Sequence, residues 1–165
     1  MKKQLLLSLL VAVTSVSAQK NWKSSDLRVR DPFIVADQKT QTYYLYNSSQ
    51  LRIEKSDILG VDVYSSKDLE NWTGPKLCFE LPADFWGKNM IWAPEVHQYK
   101  DKYYMFVTFT AFDSLASTPL NPFRPSYYPP YKRGTQILWS DSPEGPFHAF
   151  DNKSATPADW MCLDG

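Results

Sequence analysis

Beyond its first eighteen residues, the chain alternates apolar and polar positions in short runs, and no stretch carries the spacing of a helix. Asp31 to Ala36 predicts a strand, and Asp37-Gln38-Lys39 a turn. Thr42 to Tyr46 predicts a second strand, followed by a polar connection from Asn47 to Leu59. Gly60-Val61-Asp62-Val63-Tyr64-Ser65 is a half-buried strand by its alternation. Lys67 to Trp72 makes a turn ending on an anchoring tryptophan, and Pro75 to Phe79 supplies an outer strand. The polar stretch Gln19 to Arg28 ahead of all this is expected to be an irregular lead-in.

The same order then recurs. Ile91-Trp92-Ala93-Pro94-Glu95-Val96 opens it, with Pro94 placed as Pro32 was. Asp101 and Lys102 turn the chain, Tyr103 to Thr108 matches Thr42 to Tyr46, and Gly134 to Ser140 matches Gly60 to Ser66. Pro32 and Pro94 lie 62 residues apart, and Trp160 to Gly165 starts a third copy. Short strands repeated at this period, about four per unit with turn residues between them, predict an all-β chain built as propeller blades. A propeller needs about four to eight blades to close. The expectation is therefore two blades and the start of a third, as the N-terminal part of a longer protein or a truncated product.

The repeat also sorts the candidate chemistry. A proline has no N–H for a sheet ladder, so Pro32 and Pro94 suit strand starts. Asp31, Ala93 and Asp164 occupy equivalent positions just before or at those starts, and innermost strands begin around the mouth of a propeller's funnel. Two of the three are carboxylates aimed at one small space, a costly arrangement unless it is used. In an up-and-down blade the loop between strands two and three lies on the same face. The long proline-rich stretch Ala111 to Arg133 is such a loop, and Phe112, Phe123, Tyr127 and Tyr128 are expected to help wall a pocket there.

Composition narrows the field. Lys and Arg together number 18, as do Asp and Glu, and they are scattered, so nothing points to nucleic acid or an anionic membrane. Aromatics make up 15% of residues; strand cores account for most of them, and a few exposed ones suffice to stack on sugar rings. Lys2-Lys3, the apolar run Leu5 to Val13 and Val16-Ser17-Ala18 have the layout of a secretory signal peptide cut after Ala18. That leaves residues 19–165 as the start of the mature domain, periplasmic or extracellular, with no membrane segment. Cys78 and Cys162 leave a disulfide and two free thiols both open. His97 and His148 are single and have no ligand spacing, so no metal site is assigned. Converging carboxylates without a cysteine nucleophile or metal ligands suit glycoside hydrolysis, where one carboxylate activates water and a protonated acid serves the leaving oxygen.

Arg30-Asp31-Pro32-Phe33, Gly60 to Ser66 with Asp68 to Trp72, Trp92-Ala93-Pro94-Glu95 and Leu163-Asp164-Gly165, in that order, resemble family 43 glycoside hydrolases. The resemblance implies a five-bladed propeller acting with inversion on pentose-containing plant polysaccharides and oligosaccharides, as an arabinofuranosidase, xylosidase or arabinanase. It implies that Asp31 is the general base and that Asp164 tunes the acid and orients it. It places Trp92 and Glu95 at the substrate site, with Arg30 as a further binding residue that strand alternation turns away from Asp31. The family's general acid, a glutamate, would fall beyond Gly165, so the 165-residue chain alone is expected to be inactive. No cofactor is implied. Some members hold a central cation such as calcium, for which no ligands are identifiable here. A fructan-acting five-bladed hydrolase and a non-catalytic carbohydrate-binding propeller are the alternatives.

Overall fold

In the computed structural model, which describes residues 20–52, 57–115 and 131–153, the strands form two antiparallel sheets. The first contains β1 (Asn21–Lys23), β2 (Phe33–Asp37), β3 (Thr42–Ser48), β4 (Gly60–Ser66) and β5 (Asn71–Glu80), in the order β1-β5-β4-β3-β2. The second contains β6 (Met90–Tyr99), β7 (Lys102–Leu115), β8 (Tyr131–Ser140) and β9 (His148–Ala149), in chain order. Each sheet thus has the up-and-down order of a propeller blade, with β2 and β6 as the inner strands.

Local chemistry accounts for the hairpins. Asp37 closes the β2–β3 turn by accepting from the backbone N–H of Lys39 at 3.3 Å and of Thr40 at 3.2 Å. In the second sheet the equivalent turn is Lys100-Asp101, one residue earlier than expected, between the paired residues Tyr99 and Lys102. Both turn residues have positive φ, 46° and 61°, the two-residue geometry that matches the twist of paired strands.

The sheets pack face to face because one side of each is apolar. Tyr46, Val61 and Phe79 from the first meet Ile91, Met105, Phe109 and Leu138 from the second, all buried. Phe85, from the connection between sheets, stacks edge-on against Phe79 and Phe109. Each such side chain contributes about 1.5–3 kcal/mol when fully buried, so this seam supplies most of the cohesion. The turn after β8 is fastened to the first sheet by two bonds. Tyr46 Oη donates to the Pro143 carbonyl at 2.6 Å, and Phe147 N donates to the Cys78 carbonyl at 2.7 Å. Gly145 sits in that turn with φ at +76°, and a Cβ there would meet the Cys78 oxygen at 2.5 Å, so only glycine fits.

Two differences from expectation concern the first sheet. The lead-in is ordered: β1 pairs with Asn71–Thr73 of β5 and adds a fifth, outer strand. Its Trp22 indole donates to the Gly74 carbonyl at 2.8 Å, and Trp22, Leu27 and Val29 cover Leu45, Tyr64 and Trp72 on the sheet's other face. Trp72 belongs to β5 itself, because β5 begins at Asn71 and not at Pro75. Residues 1–18, Cys162 and the third repeat start lie outside the described residues. Cys78 is buried, and burial pushes its thiol well above the ordinary range.

Asp37 also joins the sheets. Its carboxylate, buried at the end of β2, accepts from the Thr40 hydroxyl and from Tyr103 of β7, and these bonds hold it below the usual carboxylate value. A depressed folded-state value contributes stability above the unfolded value of about 3.9, which is lost as pH falls through the folded one. Asp37→Asn is therefore expected to lower stability at pH 7 and to flatten its decline in acid, as measured by denaturant unfolding at pH 7 and pH 3.

Candidate active site

Asp31 lies just ahead of β2 with φ at +49°, and Ala93 in β6 has φ at +45°. Both precede a proline, whose ring already restricts the residue before it. Backbone in this region costs about 1–3 kcal/mol for a residue other than glycine and gathers where a site needs it. The two positions made equivalent by the repeat therefore share one strained conformation. At Ala93 the β6–β7 ladder breaks, with Trp92 opposite Thr108 and Glu95 opposite Phe106. Three residues of β6 there span two of β7, so the bulge places one extra residue between the two pairs.

Between the strand starts lies a crevice of about 460 Å³ lined by Arg30, Asp31, Gln50, Trp92, Ala93 and Arg133, among others. Asp31 is exposed on one wall, with the Arg30 Nε 3.6 Å from its Oδ2. Arg30 thus sits beside Asp31 and is not turned away. Both residues precede β2, so the alternation of a strand does not apply to them. At this exposure the pair adds little stability, and Arg30 is free to serve a ligand. Across the crevice the Arg133 guanidinium lies 5.2 Å from the centre of the Trp92 ring, a cation–π pair at the base of the β8 arm.

The third wall comes from the turn Ser49–Leu51 between β3 and β4. Ser48 caps it by accepting from Gln50 N at 3.3 Å, and Ser49 Oγ accepts from Gly60 N at 2.8 Å. Arg52 then anchors it with a two-pronged contact on Asp62, Nε to Oδ2 and Nη2 to Oδ1, both 2.5 Å. Asp62 is only 1% exposed. Burial pushes its carboxyl up, the Arg52 fork opposes that, and the same fork raises the guanidinium further. From this anchored turn Gln50 reaches to the other sheet. Its Nε2 donates to the Asn89 carbonyl at 2.9 Å, and its Oε1 accepts from Ile91 N at 3.1 Å.

Glu95 does not join this group. It lines a larger depression of about 670 Å³ on the face of β6–β8 turned away from the first sheet, with Tyr104, Phe106 and Ile137. There its Oε1 pairs with His97 Nε2 at 2.6 Å. That depression is an apolar sheet face with charge at its margin, whereas the smaller crevice holds the convergent polar groups a reaction requires. Asp164, Phe123, Tyr127 and Tyr128 lie outside the described residues. Phe112 is on the extended β7 and lines a third, rim depression with Trp86 and Lys132. The β7 and β8 arms carry strand structure into the stretch expected to be loop, and they rise from the same end as Asp31, since Arg133 and Asp31 share the crevice.

Chemically, the crevice offers an exposed carboxylate able to take a proton from water, an indole that can cover the apolar face of a sugar, and guanidinium donors for hydroxyls. Among the described residues, no three His, Cys, Asp or Glu side chains gather to hold a metal ion. Gln50 and Arg133 were not singled out from the sequence. The topological rule that put the second sheet's long loop beside Asp31 applies equally to the Asn47–Leu59 connection, and would have found Gln50.

The family model for glycosyl hydrolases family 43 matches residues 25–165. An endo-arabinase structure from Bacteroides thetaiotaomicron is 42% identical with a TM-score of 0.62, covering 87% of this chain and 42% of that one. An extracellular exo-alpha-(1->5)-L-arabinofuranosidase of Cellvibrio japonicus is 27% identical over 134 residues, 73% of this chain and 35% of its own length. An extracellular endo-alpha-(1->5)-L-arabinanase of Bacillus subtilis is 28% identical over 103 residues, 58% of this chain and 29% of its own. The chain therefore spans less than half the length of each.

Because Asp62 is nearly inaccessible, Asp62→Asn would leave the Arg52 cation partly buried without its counter-charge. A loss of about 3 kcal/mol in unfolding free energy is expected, read from urea denaturation.

Proposed function

This chain belongs to glycosyl hydrolases family 43, and from that premise we propose that the whole protein is a secreted hydrolase of arabinose-containing plant glycans, with α-(1,5)-linked arabinan first among them. The observation that carries the reading is Asp31, held by a strained Asp-Pro strand start at the mouth of a crevice and faced by Trp92. The activities of the relatives, an endo-arabinase, an exo-arabinofuranosidase and an endo-arabinanase, favour arabinan over xylan. The apolar run Leu5 to Val13 after Lys2-Lys3 and the two extracellular relatives favour secretion.

In this mechanism the sugar at the scissile bond stacks on Trp92 and hydrogen-bonds to Arg30. Ionised Asp31 takes a proton from a water molecule on the face of the ring opposite the leaving group. The water oxygen attacks the anomeric carbon, the glycosidic bond breaks, and configuration inverts. A protonated carboxyl from the rest of the whole protein delivers a proton to the departing oxygen, with Asp164 tuning that acid. Inversion fits a base that leaves room for water between itself and the sugar, as an exposed carboxylate across an open crevice does.

In the whole protein, Asp31→Asn is expected to reduce sugar release from linear arabinan by about 10²–10⁴-fold, the usual worth of a general base. Its unfolding midpoint should barely move, because the side chain is 62% exposed. Near-normal turnover by this variant would remove Asp31 from the base role. Faster release from xylan or fructan than from arabinan would overturn the substrate assignment.

A further inference from the structure

We propose that Gln50 is a positioning residue for the reaction: its carboxamide sets the first sheet's Asp31 and the second sheet's Trp92 at their working separation across the crevice. This assignment rests on the proposed hydrolase activity. The two groups that must meet one sugar belong to different sheets, and the seam between those sheets is apolar. Apolar packing is strong but has no direction, and the polar ties that also join the sheets, Asp37–Tyr103, Tyr46–Pro143 and Phe147–Cys78, involve no residue lining the crevice. Hydrogen bonds have direction, and at the crevice Gln50 makes two.

Its amide spans from the Ser49–Leu51 turn to the opening of β6, bonding the Asn89 carbonyl at 2.9 Å and the Ile91 N–H at 3.1 Å. Donor and acceptor are both used, so translation of β6 along either bond is resisted. Ile91 is the residue before Trp92, and Trp92 precedes the strained Ala93, so the pin acts within two residues of the bulge. At its other end the pin cannot drift. The turn carrying Gln50 is held by Ser48, by Ser49 on Gly60 N, and by Arg52 on buried Asp62. On the far side, Asn89 is tied to β7 through its own N–H to the Thr110 carbonyl at 3.0 Å and through Oδ1 to Phe112 N at 2.7 Å. A chain of directional contacts thus runs from β4, through Gln50, to β6 and β7. Displacement of reacting groups by about 1 Å can cost about 10²-fold in rate, which is the leverage such a pin has.

The test compares Gln50→Leu, which keeps the volume and removes both bonds, with Gln50→Glu, which keeps the acceptor for Ile91 N–H, in the whole protein on linear arabinan. The Leu variant is expected to lose about tenfold or more in kcat with KM within about threefold of wild type, and the Glu variant to fall between. Unfolding midpoints should stay within a few degrees, since the apolar seam is untouched. If the Leu variant does not fold, the Glu variant carries the same kcat-against-KM comparison. Unchanged kcat would overturn the assignment, as would a loss expressed wholly in KM, which would make Gln50 a substrate contact. A wild-type protein inactive on all pentose glycans would remove the functional reading and this assignment with it. Active wild type with unaffected variants removes this assignment alone.

Discussion

The face-to-face packing of two apolar sheet surfaces is the constraint on which the rest depends. Without it Asp31 and Trp92 belong to separate structures. With it, the starts of β2 and β6 come side by side and leave a crevice between them. The seam is built from large side chains on middle strands, Tyr46, Phe109 and Met105 among them, with Phe85 and Phe147 packed against them from the connections. Its strength permits strain elsewhere. Two non-glycine residues with positive φ before prolines are tolerable only where the surrounding structure holds them.

Polar contacts then do a different job from the core. The Arg52–Asp62 fork, the Asp37 turn with Tyr103, and the Gln50 bridge each cost desolvation and return little net free energy. What they add is position. Each lies where the apolar seam cannot discriminate one offset from another, and two of the three sit around the crevice wall. Cohesion comes from burial and alignment from hydrogen bonds.

Much of this was legible in the chain. The period-two runs locate the strands from β2 to β8, though not the short β9, and the spacing of Pro32 and Pro94 matches the two inner strands. What stayed hidden has physical causes. β1 is a strand only because its partner edge, Asn71–Thr73, lies about fifty residues on, and three polar-flanked residues carry no local sign of it. Arg30 was misdirected because strand alternation was extended into residues that precede the strand. Trp92 and Glu95 line different depressions, and the extra residue at the Ala93 bulge between them leaves no mark in the residue pattern. Gln50 is a single polar residue in a polar connection, and its importance lies in where its amide ends.

The central claim is that catalysis takes place in the crevice between the two strand starts and not on the apolar face bearing Glu95 and His97. A crystal structure of the whole protein, made inert by substitution at its acid and soaked with an arabino-oligosaccharide, tests this most directly. The account predicts a sugar ring stacked on Trp92, with a water molecule between its anomeric carbon and the Asp31 carboxylate. A sugar bound beside Glu95 and His97, with the crevice at Asp31 empty, would contradict it.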